Sequence, residues 1–115
     1  MISPQDFFGI LSDETRLRCL MLLQKEKELC VCEIGAILGS IQPKISRHLA
    51  LMRSSGLVLD DRRGQWVYYR INQDCESWMQ NILTNVVEDF KNADPYRSDL
   101  EKLKEIRKNS LCQPG

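Results

Sequence analysis

Apolar positions recur with helical spacing in both halves of this chain and run as a β-rich stretch near its middle. Phe7, Phe8, Ile10 and Leu11 predict a short first helix, interrupted near Gly9 and ended before Ser12. Ser12 or Asp13 then caps a second helix, since a short polar side chain accepts from the free N–H groups of a first turn. Its apolar residues, Leu17, Cys19, Leu20, Met21, Leu22 and Leu23, suffice for burial on more than one side. A charged break follows from Lys25 to Glu28. Ile34, Ile37 and Leu38 then stripe a third short helix, and Gly39 stands where a left-handed C-terminal residue is wanted. Ser40-Ile41-Gln42-Pro43 opens a fourth helix, with Ser40 cap-like and Pro43 in the tolerated first turn. It runs to about Ser54 or Ser55, where Gly56 closes it. Ile45, His48, Leu49 and Met52 fall on one side of it, and Pro43, Ser46, Arg47, Ala50 and Ser54 on the other.

Leu57-Val58-Leu59 reads as a strand, Arg62-Arg63-Gly64-Gln65 as a turn, and Trp66 to Ile71 as the β-rich return. A fifth helix starts at Asn72 to Asp74. Trp78, Met79, Ile82, Leu83, Val86, Val87 and Phe90 form two adjacent rows on it, wider than a terminal helix of so small a domain buries alone. A two-fold interface is therefore expected, formed by Trp78, Ile82, Val86 and Phe90 with the first helix. Pro95 breaks the pattern, and Ser98-Asp99-Leu100-Glu101 has capping-box spacing for a last helix carrying Leu100, Leu103 and Ile106. The expected division is a domain over 1–93 for DNA binding and dimerisation, then a C-terminal helix and flexible tail over 94–115. Two short helices joined through Gly39 and followed by a hairpin are the order of a winged helix-turn-helix, mainly α with a β-hairpin wing.

Charge sharpens that picture. The 115 residues hold 16 Lys+Arg against 16 Asp+Glu, which argues against indiscriminate coating of nucleic acid. Residues 1–39 carry four basic against six acidic side chains, and residues 72–115 carry six against eight. Residues 40–71 carry six against two, a net of +4. A basic centre between mildly acidic flanks is the footprint that phosphate binding needs. It also coincides with the two elements that touch DNA in a winged fold. The second helix of the pair places polar side chains at base edges in the major groove. Arg62 and Arg63 on the hairpin reach a phosphate or the adjacent minor groove. Gln42, Lys44, Ser46, Arg47, Arg62 and Arg63 are the candidate contacts to double-stranded operator DNA. No apolar run approaches the ~20 residues of a membrane span, and no signal peptide is visible. A cytoplasmic protein with reduced thiols and no membrane partner is expected.

Five cysteines are an odd number, so they cannot all pair internally. Cys30 and Cys32 form a C-x-C pair at the start of the third helix. That spacing is wrong for a zinc ribbon, which uses C-x-x-C, but two close thiolates suit a soft, thiophilic ion. The helix N-terminus is expected to lower the thiol pKa and favour ligation. Cys19 lies among apolar residues and is expected in the core. Cys75 and Cys112 are candidates for a further ligand. The only His, His48, is about sixteen positions from Cys32, and there is no C-x-x-C, so a thiol enzyme lacks its usual helpers. The chain is expected not to be an enzyme.

The same residues resemble a known family. Asp13 to Arg18, Glu28 to Glu33, Gln42 to Leu51 and Gly64 to Arg70 look like the ArsR/SmtB metalloregulatory repressors, nearest to the arsenical-resistance repressors. The likeness covers about residues 5–90. It implies a homodimeric repressor that leaves its operator when As(III) or Sb(III) binds as effector, with no catalytic cofactor. By position, Gln42, Ser46 and Arg47 match the family's major-groove contacts, and Arg62 and Arg63 match its wing. One departure is Gly35, which stands where arsenical repressors commonly have a third Cys. The family's alternative zinc site on the fifth helix uses Asp, His and Glu; Glu88 and Asp89 are present, but His48 lies elsewhere and is expected to pack rather than ligate. Cadmium and lead sensors share the C-x-C but add N-terminal cysteines, and residues 1–18 contain none. A Cd(II)/Pb(II)-responsive or thiol-redox-responsive repressor of the same fold is the alternative.

Overall fold

Short polar caps decide where the first two helices begin. In the computed structural model, which describes residues 2–109, α1 spans Pro4–Leu11 and α2 spans Glu14–Lys25. The Ser3 hydroxyl accepts from the Asp6 N–H at 3.1 Å, and the Asp13 carboxylate accepts from the Arg16 N–H at 3.0 Å. That second bond holds the Asp13 carboxyl below its ordinary pKa. Asp13 is thus the cap of α2, while Ser12 closes α1 and donates its hydroxyl to the Gly9 carbonyl. The expected break at Gly9 does not occur. A helical glycine costs only about 1 kcal/mol, and burying Phe7 and Ile10 from the same helix outweighs it.

The remaining elements follow as β1 (Leu29–Cys30), α3 (Val31–Leu38), α4 (Gln42–Ser55), β2 (Val58–Arg63), β3 (Trp66–Ile71), α5 (Ser77–Phe90) and α6 (Tyr96–Asn109). Gly39 closes α3 at φ 66° and Gly56 closes α4 at φ 90°, left-handed conformations that favour residues without a Cβ. Ser40 does not cap α4; the N-cap position falls on Ile41, which offers no side-chain acceptor. The hairpin turn is tighter than expected. Arg63 pairs with Trp66, so only Gly64 and Gln65 lie between the strands, and both arginines belong to β2.

β1 was not legible as a strand, being only two residues long, yet it completes the sheet in the order β1-β3-β2. All pairings are antiparallel, with Leu29 opposite Tyr69 and Cys30 opposite Tyr68. Alternation along the strands sends Leu29, Tyr69, Ile71 and Val67 into the main core. Cys30, Tyr68, Trp66 and Cys32 gather in a second, smaller cluster.

α2 is the central post of the core. It packs against every other helix and against β3, and five consecutive residues, Cys19 to Leu23, are buried on it. α5 starts at Ser77, later than expected, because Asn72 organises a turn. Its side chain accepts from the Asp74 N–H and donates to the Gly56 carbonyl, each at 2.9 Å. α6 starts two residues before Ser98. Asp99 is turned inward there, and Arg18 donates two bonds to its carboxylate at 2.8 Å. Leu103 and Ile106 join the same core as α2, so α6 packs as an integral helix against α2 and α3. Among the described residues no helix is long and apolar enough to cross a membrane.

The Arg18–Asp99 pair yields a stability test. Its side chains are 18% and 3% exposed, and breaking such a pair from one side strands a buried charge. Arg18→Ala is expected to lower unfolding stability in urea by about 3 kcal/mol. Arg18→Met combined with Asp99→Leu should lose less than half as much.

Candidate functional site

α4 is amphipathic in the sense the sequence indicates. Ile45, Leu49 and Met52 are fully buried, and Gln42, Pro43, Lys44, Ser46 and Arg47 are exposed. His48 is half-buried at the edge of that face, with Nδ1 3.4 Å from Arg16 Nη1. A guanidinium has only donors, so Nδ1 is the acceptor in this contact. Arg16 is itself fixed by the Ile10 and Gly9 carbonyls. His48 therefore ties α4 to the junction of α1 and α2.

The six cations of the basic segment divide into two sets. Arg53 pairs with Asp60 at 2.9 Å. Arg63 donates two bonds to the Glu28 carboxylate at 2.7 Å and one to Asp61 at 2.9 Å. Its guanidinium also lies 4.4 Å from the centre of the Tyr68 ring, within cation–π range. This guanidinium holds the Glu28 carboxyl below its ordinary pKa. Among the described residues no acidic side chain pairs with Lys44, Arg47, Arg62 or Arg70. The two wing arginines thus differ. Arg62 points its charge to solvent, whereas Arg63 binds the wing to the segment just before β1.

Cys30 and Cys32 lie at the joint between β1 and α3, with sulfurs 3.1 Å apart, too far to be bonded to each other; Cys30 is a free thiol, whereas Cys32 is disulfide-bonded. Cys30 is buried and Cys32 half-buried. The Cys30 N–H donates to the Glu33 carboxylate at 2.9 Å, a reciprocal capping arrangement in which the sulfur faces the Glu33 N–H. The expected lowering of the Cys30 pKa is not found. Burial pushes the thiol up, and the N–H groups of Cys32 and Glu33, which pull it down as a helix start should, are outweighed. Glu33 is itself only 2% exposed, and Arg107 of α6 reaches it at 3.5 Å while donating to the Glu28 carbonyl at 3.2 Å.

Cys19 and Cys75 are placed apart from this pair. Cys19 is fully buried, and burial pushes its thiol up to about 12, as suits a core residue. Cys75 packs on the main core and lines a cavity of about 220 Å³ with Ile2, Ser55, Asn72 and Met79. Cys112 lies outside the described residues. Glu88 and Asp89 are exposed on α5, where Glu88 pairs with Lys91 at 2.9 Å. Among the described residues no three His, Cys, Asp or Glu side chains converge on a metal-sized site. Gly35 is buried, and a Cβ there would meet the Ser40 carbonyl oxygen at 3.2 Å.

On α5, Met79, Leu83 and Val87 face the core. Trp78, Ile82 and Val86 remain half-buried and Phe90 is 49% exposed. Trp78 meets Phe7 edge to face at 5.2 Å and lies 6.4 Å from Phe8, which is itself 51% exposed.

Sequence reasoning did not find the Glu28–Arg63 clamp, or the buried Glu33 with its link to Arg107. The first pair is 35 residues apart and the second 74. Only the three-residue step from Cys30 to Glu33, a capping-box spacing, hinted at the carboxylate's role.

Comparison with known proteins agrees with this arrangement. The family described as bacterial regulatory protein, arsR family, matches residues 13–59, from the Asp13 cap into β2. The arsenic resistance transcriptional regulator ArsR2 of Pseudomonas putida is 55% identical over 83 residues, covering 72% of each chain. The arsenical resistance operon repressor of Escherichia coli is 42% identical over 110 residues, covering 96% of this chain and 86% of the relative. The crystal structure of the transcriptional repressor PagR of Bacillus anthracis superposes with a TM-score of 0.60 at 28% identity, covering 71% of this chain and 90% of that one. The chain therefore belongs to the ArsR family of bacterial regulators and is a DNA-binding transcriptional repressor rather than an enzyme.

Proposed function

We propose that the chain is a homodimeric repressor that binds As(III) or Sb(III) through Cys30 and Cys32 and then leaves its operator. The observation that carries this reading is the 3.1 Å approach of the two sulfurs at the root of the DNA-reading unit. An ion bonded to both at about 2.3 Å subtends about 85° between them. That angle suits a pyramidal trivalent ion better than a tetrahedral one. The raised pKa of Cys30 is no obstacle. In the reduced protein, with both cysteines as thiols, each As–S bond formed from arsenous acid places the thiol proton on a departing hydroxide, so water leaves and no thiolate need accumulate beforehand. With Gly35 in place of a third Cys, the remaining coordination falls to another sulfur of the chain, with Cys75 and Cys112 the candidates, to a small thiol or to a solvent oxygen.

The joint gives the ligand two levers. Cys30 caps α3, which leads through Gly39 to α4. Cys30 also faces Tyr68 across the sheet, and Tyr68 carries Arg63 of the wing. Reorganising the two sulfurs therefore disturbs recognition helix and wing together. A coupling of about 2–4 kcal/mol weakens DNA binding by about 30- to 1000-fold, and DNA must weaken metalloid binding by the same factor. Replacing Cys30 and Cys32 by Ser is expected to preserve operator affinity under reducing conditions and abolish release by arsenite. Release that persists in this variant would sink the assignment; release by oxidant alone would favour a redox sensor.

Operator contact is assigned to Gln42, Lys44, Ser46, Arg47 and Arg62, with Arg63 acting through its clamp. Arg62→Ala should reduce the slope of log affinity against log salt by about 1, as loss of one phosphate contact does. Arg63→Ala should leave that slope nearly unchanged and weaken the arsenite response. Equal slope changes in the two variants would contradict the division.

The exposed row of Trp78, Ile82, Val86 and Phe90, extended by Phe8, is assigned to the two-fold interface, which sets the recognition helices about one DNA turn apart. Ile82→Lys should shift sedimentation at micromolar concentration from a dimer to the 13.4 kDa monomer. A wild-type chain already monomeric under those conditions would refute the interface.

A further inference from the structure

Ile41 combines two unfavourable features at one place. It is the N-cap of α4, where Ser, Thr, Asp or Asn would accept from a first-turn N–H and Ile is among the poorest choices. It is also 72% exposed, the highest value among the exposed large apolar side chains. A scattered apolar side chain on a surface is ordinary, but this one displaces a stabilising residue at the same time. Neither the core nor the α5 row makes use of it. Residues that break a local rule without structural return concentrate at functional sites.

Its position says which function. Ile41 stands between the Gly39–Ser40 turn and the exposed Gln42 and Lys44, at the end of α4 that leads into the major groove of a helix-turn-helix complex. The groove edge offers hydrogen-bonding atoms at every base pair, but only thymine presents an apolar group, its C5-methyl. An isobutyl-sized aliphatic surface there gains from a methyl and leaves the cytosine amino donor without a partner. We infer that Ile41 is a base-reading residue that packs on a thymine methyl in each half-site and selects thymine at that position. The inference rests on the reading that α4 enters the major groove.

The test uses the full chain, reduced, on a duplex selected by the wild-type protein from a randomised pool. Replacing thymines one at a time by uracil removes only the methyl. At one thymine per half-site, uracil should weaken wild-type binding about fourfold, the value of one buried methyl. Ile41→Ala, which alters both subunits of the dimer, should lose about that factor once per half-site, roughly 15-fold in all, on the thymine duplex, and should show no further loss on the uracil one. Ile41→Ser supplies a capping hydroxyl, so its helix content and thermal midpoint should hold or rise while the same affinity is lost. The inference falls if either variant retains the wild-type ratio between thymine and uracil duplexes. Gln42→Ala and Arg47→Ala separate the two readings. If they weaken binding while the Ile41 variants do not, only the thymine contact is overturned. If all four bind as wild type, the placement of α4 in the groove is overturned with it.

Discussion

Two adjacent residues, Leu29 and Cys30, must be satisfied on opposite faces of one narrow sheet, and most of the molecule is arranged around that demand. Pairing with Tyr69 and Tyr68 on β3 fulfils it. Leu29 enters the main core, and Cys30 enters the small cluster with Tyr68, Trp66 and Cys32. Because a strand alternates faces strictly, a slip of one residue would bury the wrong side chain on each side. The Glu33 carboxylate enforces the register by holding the Cys30 N–H. Helix α3, the wing strand and the central helix α2 are therefore joined at one point, and the sulfurs occupy it.

Electrostatics around that point follow the same economy. The zero net charge of the chain conceals a sorting of cations by partner. Arg18, Arg53, Arg63 and Arg107 are spent on internal carboxylates or carbonyls that brace one element to another. Lys44, Arg47, Arg62 and Arg70 form no such pair among the described residues. A fixed cation positions the scaffold, whereas an uncommitted one is available to phosphate, whose charge is what makes binding salt-dependent.

Much of this was legible in the sequence, because periodicity and capping chemistry act locally. The order of helices, the hairpin, both glycine stops and the buried side of α4 follow from spacing alone. The family likeness added the functional class and pointed to Cys30 and Cys32. What spacing could not reveal depends on contacts between remote segments. β1 is too short to alternate visibly, the Arg63 guanidinium finds Glu28 only after the sheet forms, and Asp99 turns inward only because Arg18 is there. The thiol of Cys30 was misjudged for a related reason. A helix start lowers a thiol pKa locally, but burial, a tertiary property, dominates here.

The missing side chain at Gly35 has a meaning beyond ligand count. The turn that launches α4 lies against this backbone, with the Ser40 carbonyl 3.2 Å from where a Cβ would stand. A cysteine introduced at this site would bring a third sulfur onto α3 and simultaneously wedge the turn outward by a few tenths of an ångström. The number of sulfurs on α3 and the resting pose of α4 are thus one inherited variable in this chain. A lineage acquiring the third thiol would have to retune its operator fit in the same step.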